Sequence, residues 1–131
     1  MATLSHRALR ELIISFGSGP ALFFSEMIGA AAYLNGGPFE SWYEDPGPCP
    51  ERLVYQLVGD DIDELTKTAC LLQRNPCAGI DINMGCCAPE ILRSGGGMAW
   101  FKTPDRAREL VSKLRAVTRG RLSVKLRAGY E

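Results

Sequence analysis

Leu53-Val54-Tyr55-Gln56-Leu57-Val58-Gly59, then Asp60-Asp61-Ile62-Asp63-Glu64-Leu65, and then Gly79-Ile80-Asp81-Ile82-Asn83 form the stretch that decides the fold. Leu53 to Val58 is an apolar run of strand length closed by Gly59. Asp60 is suited to cap a helix whose Ile62, Leu65, Ala69 and Leu72 fall on one stripe. Gly79 to Asn83 is again strand-like, and two strands joined through one helix are expected to run parallel. Working outward, a glycine-rich turn extends through Gly97, and Thr103-Pro104 opens a helix with Ala107, Leu110, Val111, Leu114 and Val117 on its buried face. Gly120 is expected to end that helix, and Leu122 to Arg127 supplies another strand. Toward the N-terminus, Ala21 to Met27 has strand length, Ile28 to Leu34 begins a helix, and the Gly- and Pro-rich Asn35 to Pro50 reads as loop. Ser5 to Phe16 reads as an amphipathic helix with Ser5 at the N-cap, Gly17 at C′, and Ala8, Leu9, Leu12, Ile13 and Phe16 facing the core. Alternating strands and helices give an α/β class built from parallel β-α-β units. Four units are about half of an eight-stranded barrel, which needs roughly 250 residues. The pattern therefore describes either a small open sheet or part of a barrel.

The 131 residues balance 15 basic against 15 acidic side chains, within the composition of one ordered globular domain. No run reaches the ~18 apolar residues of a membrane span, and no basic-then-apolar leader opens the chain. A cytoplasmic location without a membrane partner is the expectation. Cys49, Cys70, Cys77, Cys86 and Cys87 form an odd set without a repeated C-x-x-C pair, and His6 is the one histidine. That set argues against a disulfide framework and against a zinc site. Acids dominate up to Glu64, whereas Lys102, Arg106, Arg108, Lys113, Arg115, Arg119, Arg121, Lys125 and Arg127 crowd the C-terminal quarter. Such a run either attracts phosphates or simply solvates an outer helix.

In parallel α/β folds functional groups collect where strands end and loops leave. Gln56 interrupts an apolar strand, Asn83 ends the next and Lys125 sits in the last. Buried polar side chains need partners, supplied either by a bound polar cofactor or by one another. The loop Asn83-Met84-Gly85-Cys86-Cys87-Ala88-Pro89-Glu90-Ile91-Leu92-Arg93-Ser94-Gly95-Gly96-Gly97 puts a cysteine just past a strand and ends in a glycine triplet read as flexible. It is no P-loop, because no Gly-Lys-Ser/Thr follows. A lone loop cysteine is more often inert than catalytic, and its placement at a strand end is what singles out Cys86.

Asp81-Ile82-Asn83-Met84-Gly85-Cys86, with Ala88-Pro89 and Ser94-Gly95-Gly96-Gly97, resembles the signature of the tRNA-dihydrouridine synthases, N-x-G-C-P and then a glycine-rich turn. Ser25-Glu26-Met27, Tyr55-Gln56-Leu57-Val58-Gly59 and Val124-Lys125-Leu126-Arg127-Ala128-Gly129 follow in family order, and residues 1–10 look like the family's M-A-G-V-T-D-x-x-F-R. The resemblance implies an incomplete TIM-type (β/α) barrel, roughly its N-terminal half, with residues 1–131 as part of an FMN-binding domain. It implies Cys86 as the catalytic acid, Met1, Gln56 and Lys125 beside the flavin, and Asn83 and Arg93 on the substrate side. FMN with NADPH as electron donor would reduce uridine to 5,6-dihydrouridine in tRNA, the base being drawn out of the RNA fold. The cysteine would act as a neutral thiol that gives a proton to C5 of the uracil ring. Two alternatives stand beside this reading. One is another FMN-dependent barrel oxidoreductase acting on a free pyrimidine; the other is a catalytically inactive fragment, or a subunit of a split enzyme whose second chain supplies the missing barrel half.

Departures from the family pattern accompany the resemblance. Cys87 stands in place of a proline, Glu90 in place of a common lysine, and Thr3 in place of a glycine near the flavin. The strand expected ahead of Met1, and the histidine, phosphate-binding loops and helical tRNA-binding domain expected after Glu131, lie outside the sequence, so a truncated chain is expected.

Overall fold

The computed structural model describes residues 4–129. Its elements run α1 (Arg7–Ser15), β1 (Phe23–Gly29), α2 (Ala30–Leu34), α3 (Glu40–Glu44), β2 (Leu53–Val58), α4 (Ile62–Leu72), β3 (Gly79–Asn83), α5 (Pro89–Arg93), α6 (Pro104–Val117) and β4 (Arg121–Lys125). The four strands form one sheet in the order β1-β2-β3-β4, every neighbouring pair parallel. The fold is α/β, consistent with part of a TIM-type barrel, and the sheet is not closed. No helix among the described residues is long and apolar enough to cross a membrane.

The deciding stretch folds as its pattern requires. Leu53, Tyr55 and Leu57 of β2 and Ile80 and Ile82 of β3 point toward the helices, where Leu65, Ala69 and Leu72 of α4 and Leu110 and Leu114 of α6 bury against them. Each such aliphatic side chain taken from water contributes roughly 1.5–3 kcal/mol. Asp61, not the expected Asp60, caps α4: its carboxylate accepts from the Glu64 N–H at 2.8 Å. Pro104 opens α6 at its first turn. Gly120, at φ +84°, reverses the chain toward β4 after α6 has already ended at Val117.

Elsewhere the structure corrects the sequence reading. The apolar face assigned to the first helix is not buried: Leu12 and Ile13 are exposed, and Phe16 is 85% exposed. The buried residue of α1 is Arg10, whose guanidinium donates to the carbonyls of Ser5 and Asp45. Nor does Ser5 cap this helix; His6 precedes it without a side-chain bond, and the Ser5 N–H donates to Glu26 instead. β1 begins two residues later than expected, α2 starts at Ala30, and the supposed loop contains α3. The glycine-rich turn holds α5 and a 3-10 turn at Gly97–Lys102.

β1 carries one extra residue between Phe24 and Met27, so that these two pair with Val54 and Gln56. A bulge of this kind re-aims the side chains at the insertion. Ser25 Oγ accepts from the Gln56 N–H at 3.0 Å, and Glu26 turns back to take the Leu4 N–H at 2.8 Å.

Candidate functional site

Neighbours in register across a parallel sheet share a face. One row therefore reads Met27, Gln56, Asp81, Ser123, and the next pairs Asn83 with Lys125. These residues alternate with the helix-facing aliphatics, so a polar stripe lies on the sheet face away from the helices. Burial makes its hydrogen bonds obligatory: Asp81 is 3% exposed, Asn83 4% and Gln56 9%.

The stripe satisfies itself. Ser123 Oγ donates to Asp81 Oδ1 at 2.6 Å, and Gln56 Nε2 donates to Asp81 Oδ2 at 2.6 Å. Asn83 Nδ2 donates to Gln56 Oε1 at 3.0 Å and reaches Met27 Sδ at 3.1 Å. Asn83 Oδ1 then accepts two backbone donors, the Gly85 N–H at 3.1 Å and the Cys86 N–H at 2.8 Å. Both hydrogens and both lone pairs of the Asn83 amide are thus engaged. Gln56 keeps one N–H and one oxygen lone pair unused by these bonds.

The turn bearing Cys86 is held from three further sides. The Met84 N–H donates to Lys125 O at 2.9 Å, Arg127 Nε donates to Gly85 O at 2.6 Å, and the Met98 N–H donates to Cys86 O at 2.9 Å. The glycine triplet serves this clamp rather than flexibility. Gly97 sits at φ +57°, where a Cβ would lie 2.3 Å from Cys86 O, and one on Gly96 would lie 3.2 Å from Gly59 O. Only a residue without a side chain lets the 3-10 turn close on the Cys86 carbonyl.

Beside the turn opens a cleft of about 470 Å³ at the C-terminal ends of the strands, lined by Met27, Gln56, Asn83, Cys86, Lys125 and Arg127 among others. The fold thereby brings together four residues singled out from the sequence: Gln56, Asn83, Cys86 and Lys125. Arg93 is not among the lining residues; it is exposed on α5 with Glu90 3.6 Å away. Met1 lies outside the described residues, as does Thr3. Cys87 is exposed, and Arg127 Nη2 approaches its sulfur at 3.4 Å. Part of the basic C-terminal run is spent internally: Lys113 meets Asp63 at 3.0 Å and Glu109 at 3.4 Å, and Arg115 donates to the carbonyls of Thr118 and Gly120.

Asp81, Ser123 and Arg127 belong to the site and were not singled out from the sequence. The signal for the first two was present as alternation: Gly79-Ile80-Asp81-Ile82-Asn83 puts Asp81 on the face of Asn83, and Leu122-Ser123-Val124-Lys125 puts Ser123 with Lys125. Arg127 follows the strand, and its reach back to Gly85 is tertiary.

The chemistry of the cleft suits a planar, polar heterocycle: an amide with one donor and one acceptor to spare, a lysine, and a cysteine on a fixed turn. The family model described as dihydrouridine synthase matches residues 1–131. Among curated proteins, the chain is 26% identical over 140 residues to tRNA-dihydrouridine synthase B of Pasteurella multocida, covering 100% of this chain and 39% of that protein. It is 30% identical over 139 residues to tRNA-dihydrouridine synthase B of Yersinia pestis, covering 99% and 40%. It is 37% identical over 79 residues to tRNA-dihydrouridine(16) synthase of Ralstonia nicotianae, covering 59% and 24%. The chain thus spans between a quarter and two-fifths of the length of these relatives.

Proposed function

The chain belongs to the dihydrouridine synthase family, and from that premise we propose that its cleft is part of a flavin-dependent site that reduces uridine to 5,6-dihydrouridine in tRNA. The observation that carries this reading is the convergence of Gln56, Asn83, Lys125 and the clamped Cys86 turn on one cleft at the strand ends. Residues 1–131 then form part of an FMN-binding barrel domain, working in the cytoplasm with NADPH as electron donor. FMN, when bound, supplies hydride to C6 of the uracil ring.

This chain's residues do the rest. Gln56 offers the flavin its spare N–H and lone pair, the pattern that an imide edge complements. Lys125, exposed at the end of β4, places a cation where the reduced ring's negative charge is stabilised. Cys86 Sγ holds the proton delivered to C5, on the opposite face of the uracil from the hydride. Met1 is assigned beside the flavin by the resemblance alone. Asn83 acts on the substrate side by fixing the turn, since its amide is already saturated, and Arg93, out of the cleft on α5, is placed to meet tRNA phosphate.

β1 and β4 each lack a strand neighbour on their outer side among the described residues. We assign closure of the site to further polypeptide, either flanking sequence or a second chain. The same open edges favour a second reading, in which the isolated chain does not catalyse. Titration of the 131-residue chain with FMN, followed by flavin fluorescence, bears on it: micromolar binding would count strongly against an inert piece. The activity itself is tested by expressing the chain with its flanking coding sequence and incubating it with unmodified tRNA and NADPH. Dihydrouridine formation, read by nucleoside mass spectrometry, is expected and is lost in Cys86→Ala. A colourless protein that leaves every uridine intact would refute the reading, and turnover of a free pyrimidine without tRNA would transfer the site to a different reaction.

A further inference from the structure

We infer that Asp81 is a positioning residue that sets the polarity of the whole stripe and, through it, the geometry of the Cys86 turn. A carboxylate can only accept hydrogen bonds, whereas a carboxamide can be turned end for end with almost no change of shape. Asp81 therefore obliges Gln56 to present Nε2 to it, which turns Gln56 Oε1 toward Asn83. Asn83 must then present Nδ2 to that oxygen, which turns its Oδ1 toward the turn. There it meets two groups that can only donate, the backbone N–H groups of Gly85 and Cys86. The acceptor at one end and the donors at the other demand the same orientation of both amides. Ser123, donating to the second carboxylate oxygen, holds Asp81 in place from β4.

The relay spans three strands in register and ends on the backbone of the proposed proton donor. It also decides what Gln56 shows a ligand, because flipping that amide would exchange its spare donor and acceptor. What the relay serves rests on the function proposed above; the relay itself rests only on the hydrogen bonds.

The test uses the ligand-free chain, so that its failure is distinct from failure of flavin or tRNA binding. Amide hydrogen exchange is read by NMR at Gly85 and Cys86, with Leu65 and Leu110 as core references. In Asp81→Leu the orienting acceptor is gone, and exchange at Gly85 and Cys86 is expected to rise roughly tenfold, the factor that loss of one net hydrogen bond gives. Asp81→Asn keeps one acceptor that can turn toward either Gln56 or Ser123, so exchange at Gly85 and Cys86 is expected to rise, but by less than in Asp81→Leu. Gln56→Met breaks the chain at its middle link and is expected to match Asp81→Leu, the double variant adding nothing further. Two results would overturn the inference. These are wild-type exchange at Gly85 and Cys86 in both Asp81→Leu and Gln56→Met, or a rise shared by Leu65 and Leu110.

Discussion

Replacing Gly97 by alanine tests whether the glycine triplet is a clamp on the Cys86 turn. Two costs add at this position. An alanine held at φ +57° costs about 1–2 kcal/mol. Its Cβ would also lie 2.3 Å from Cys86 O and 2.9 Å from Ile91 Cγ2, so the backbone must move apart. That movement breaks the Met98 N–H bond to Cys86 O, worth about 0.5–1.5 kcal/mol net. Gly36 supplies the control, because it sits at φ +72° with nothing within 4 Å of its would-be Cβ. Gly36→Ala thus carries the conformational cost alone. Any stabilisation from a stiffer unfolded chain, under about 1 kcal/mol, is common to both variants. Urea denaturation should show Gly97→Ala destabilised by about 1.5–3.5 kcal/mol, about 0.5–1.5 kcal/mol beyond Gly36→Ala. Below the transition, alkylation of Cys86 mapped by mass spectrometry should change rate in Gly97→Ala and stay at the wild-type rate in Gly36→Ala. Equal stability of the two variants, with Cys86 labelled alike, would refute the clamp.

Arg10→Met should destabilise the fold by about 2–4 kcal/mol in thermal or urea unfolding, because two carbonyls lose a charged donor in a buried place. Asp61→Ala should cost about 1 kcal/mol and Asp60→Ala close to nothing, which checks the observed cap against the expected one. Burial pushes Tyr33 up to about 12 and raises Tyr55 and Cys77 as well. Their neutral forms are favoured by the fold, so this stability is fully present below their ordinary values of 9.0 to 10.0 and is lost as pH rises toward about 12. The melting temperature should hold from neutral pH to about 9 and then fall, less steeply in Tyr55→Phe. Iodoacetamide pulses should mark the exposed Cys70 and Cys87 before the half-buried Cys77, whose thiol burial holds in its neutral form.

β2, β3 and the apolar faces of α4 and α6 were legible in the sequence because each buries a periodic set against its neighbours, and period reports which face is dry. α1 has the same periodicity and misled, because burial depends on what lies opposite a face and not on the face itself. Its buried tie is Arg10, gripping a carbonyl 35 positions away at Asp45, and no local pattern announces such a bond. The glycines and prolines of Asn35 to Pro50 signal loop, yet Glu40–Glu44 between them is long enough for one helical turn. Cys86, Gln56, Asn83 and Lys125 stand out in the sequence by placement and resemblance, and the fold sets all four around the candidate cleft. Asp81 gives no such signal although it lies within the same motif, since a carboxylate there acquires meaning only when β2 and β4 set Gln56 and Ser123 beside it.

The same cross-strand register explains why the Cys86 turn can be fixed before any ligand arrives. Its backbone is tied to Asn83 at the end of β3, to Lys125 and Arg127 at the end of β4, and to Met98 in the 3-10 turn. These anchors belong to elements separated by up to 42 positions in the chain, so the turn cannot loosen without disturbing the β3–β4 pairing or the Gly97 contact. A turn held in this way has little freedom left to lose on binding a ligand in the cleft, so less of the binding energy would go into ordering it. It also means that Cys86 is controlled from outside the cleft. A change at Ser123, Gly97 or Asp81 reaches the thiol through the backbone that carries it, while the residues able to touch the ligand stay the same.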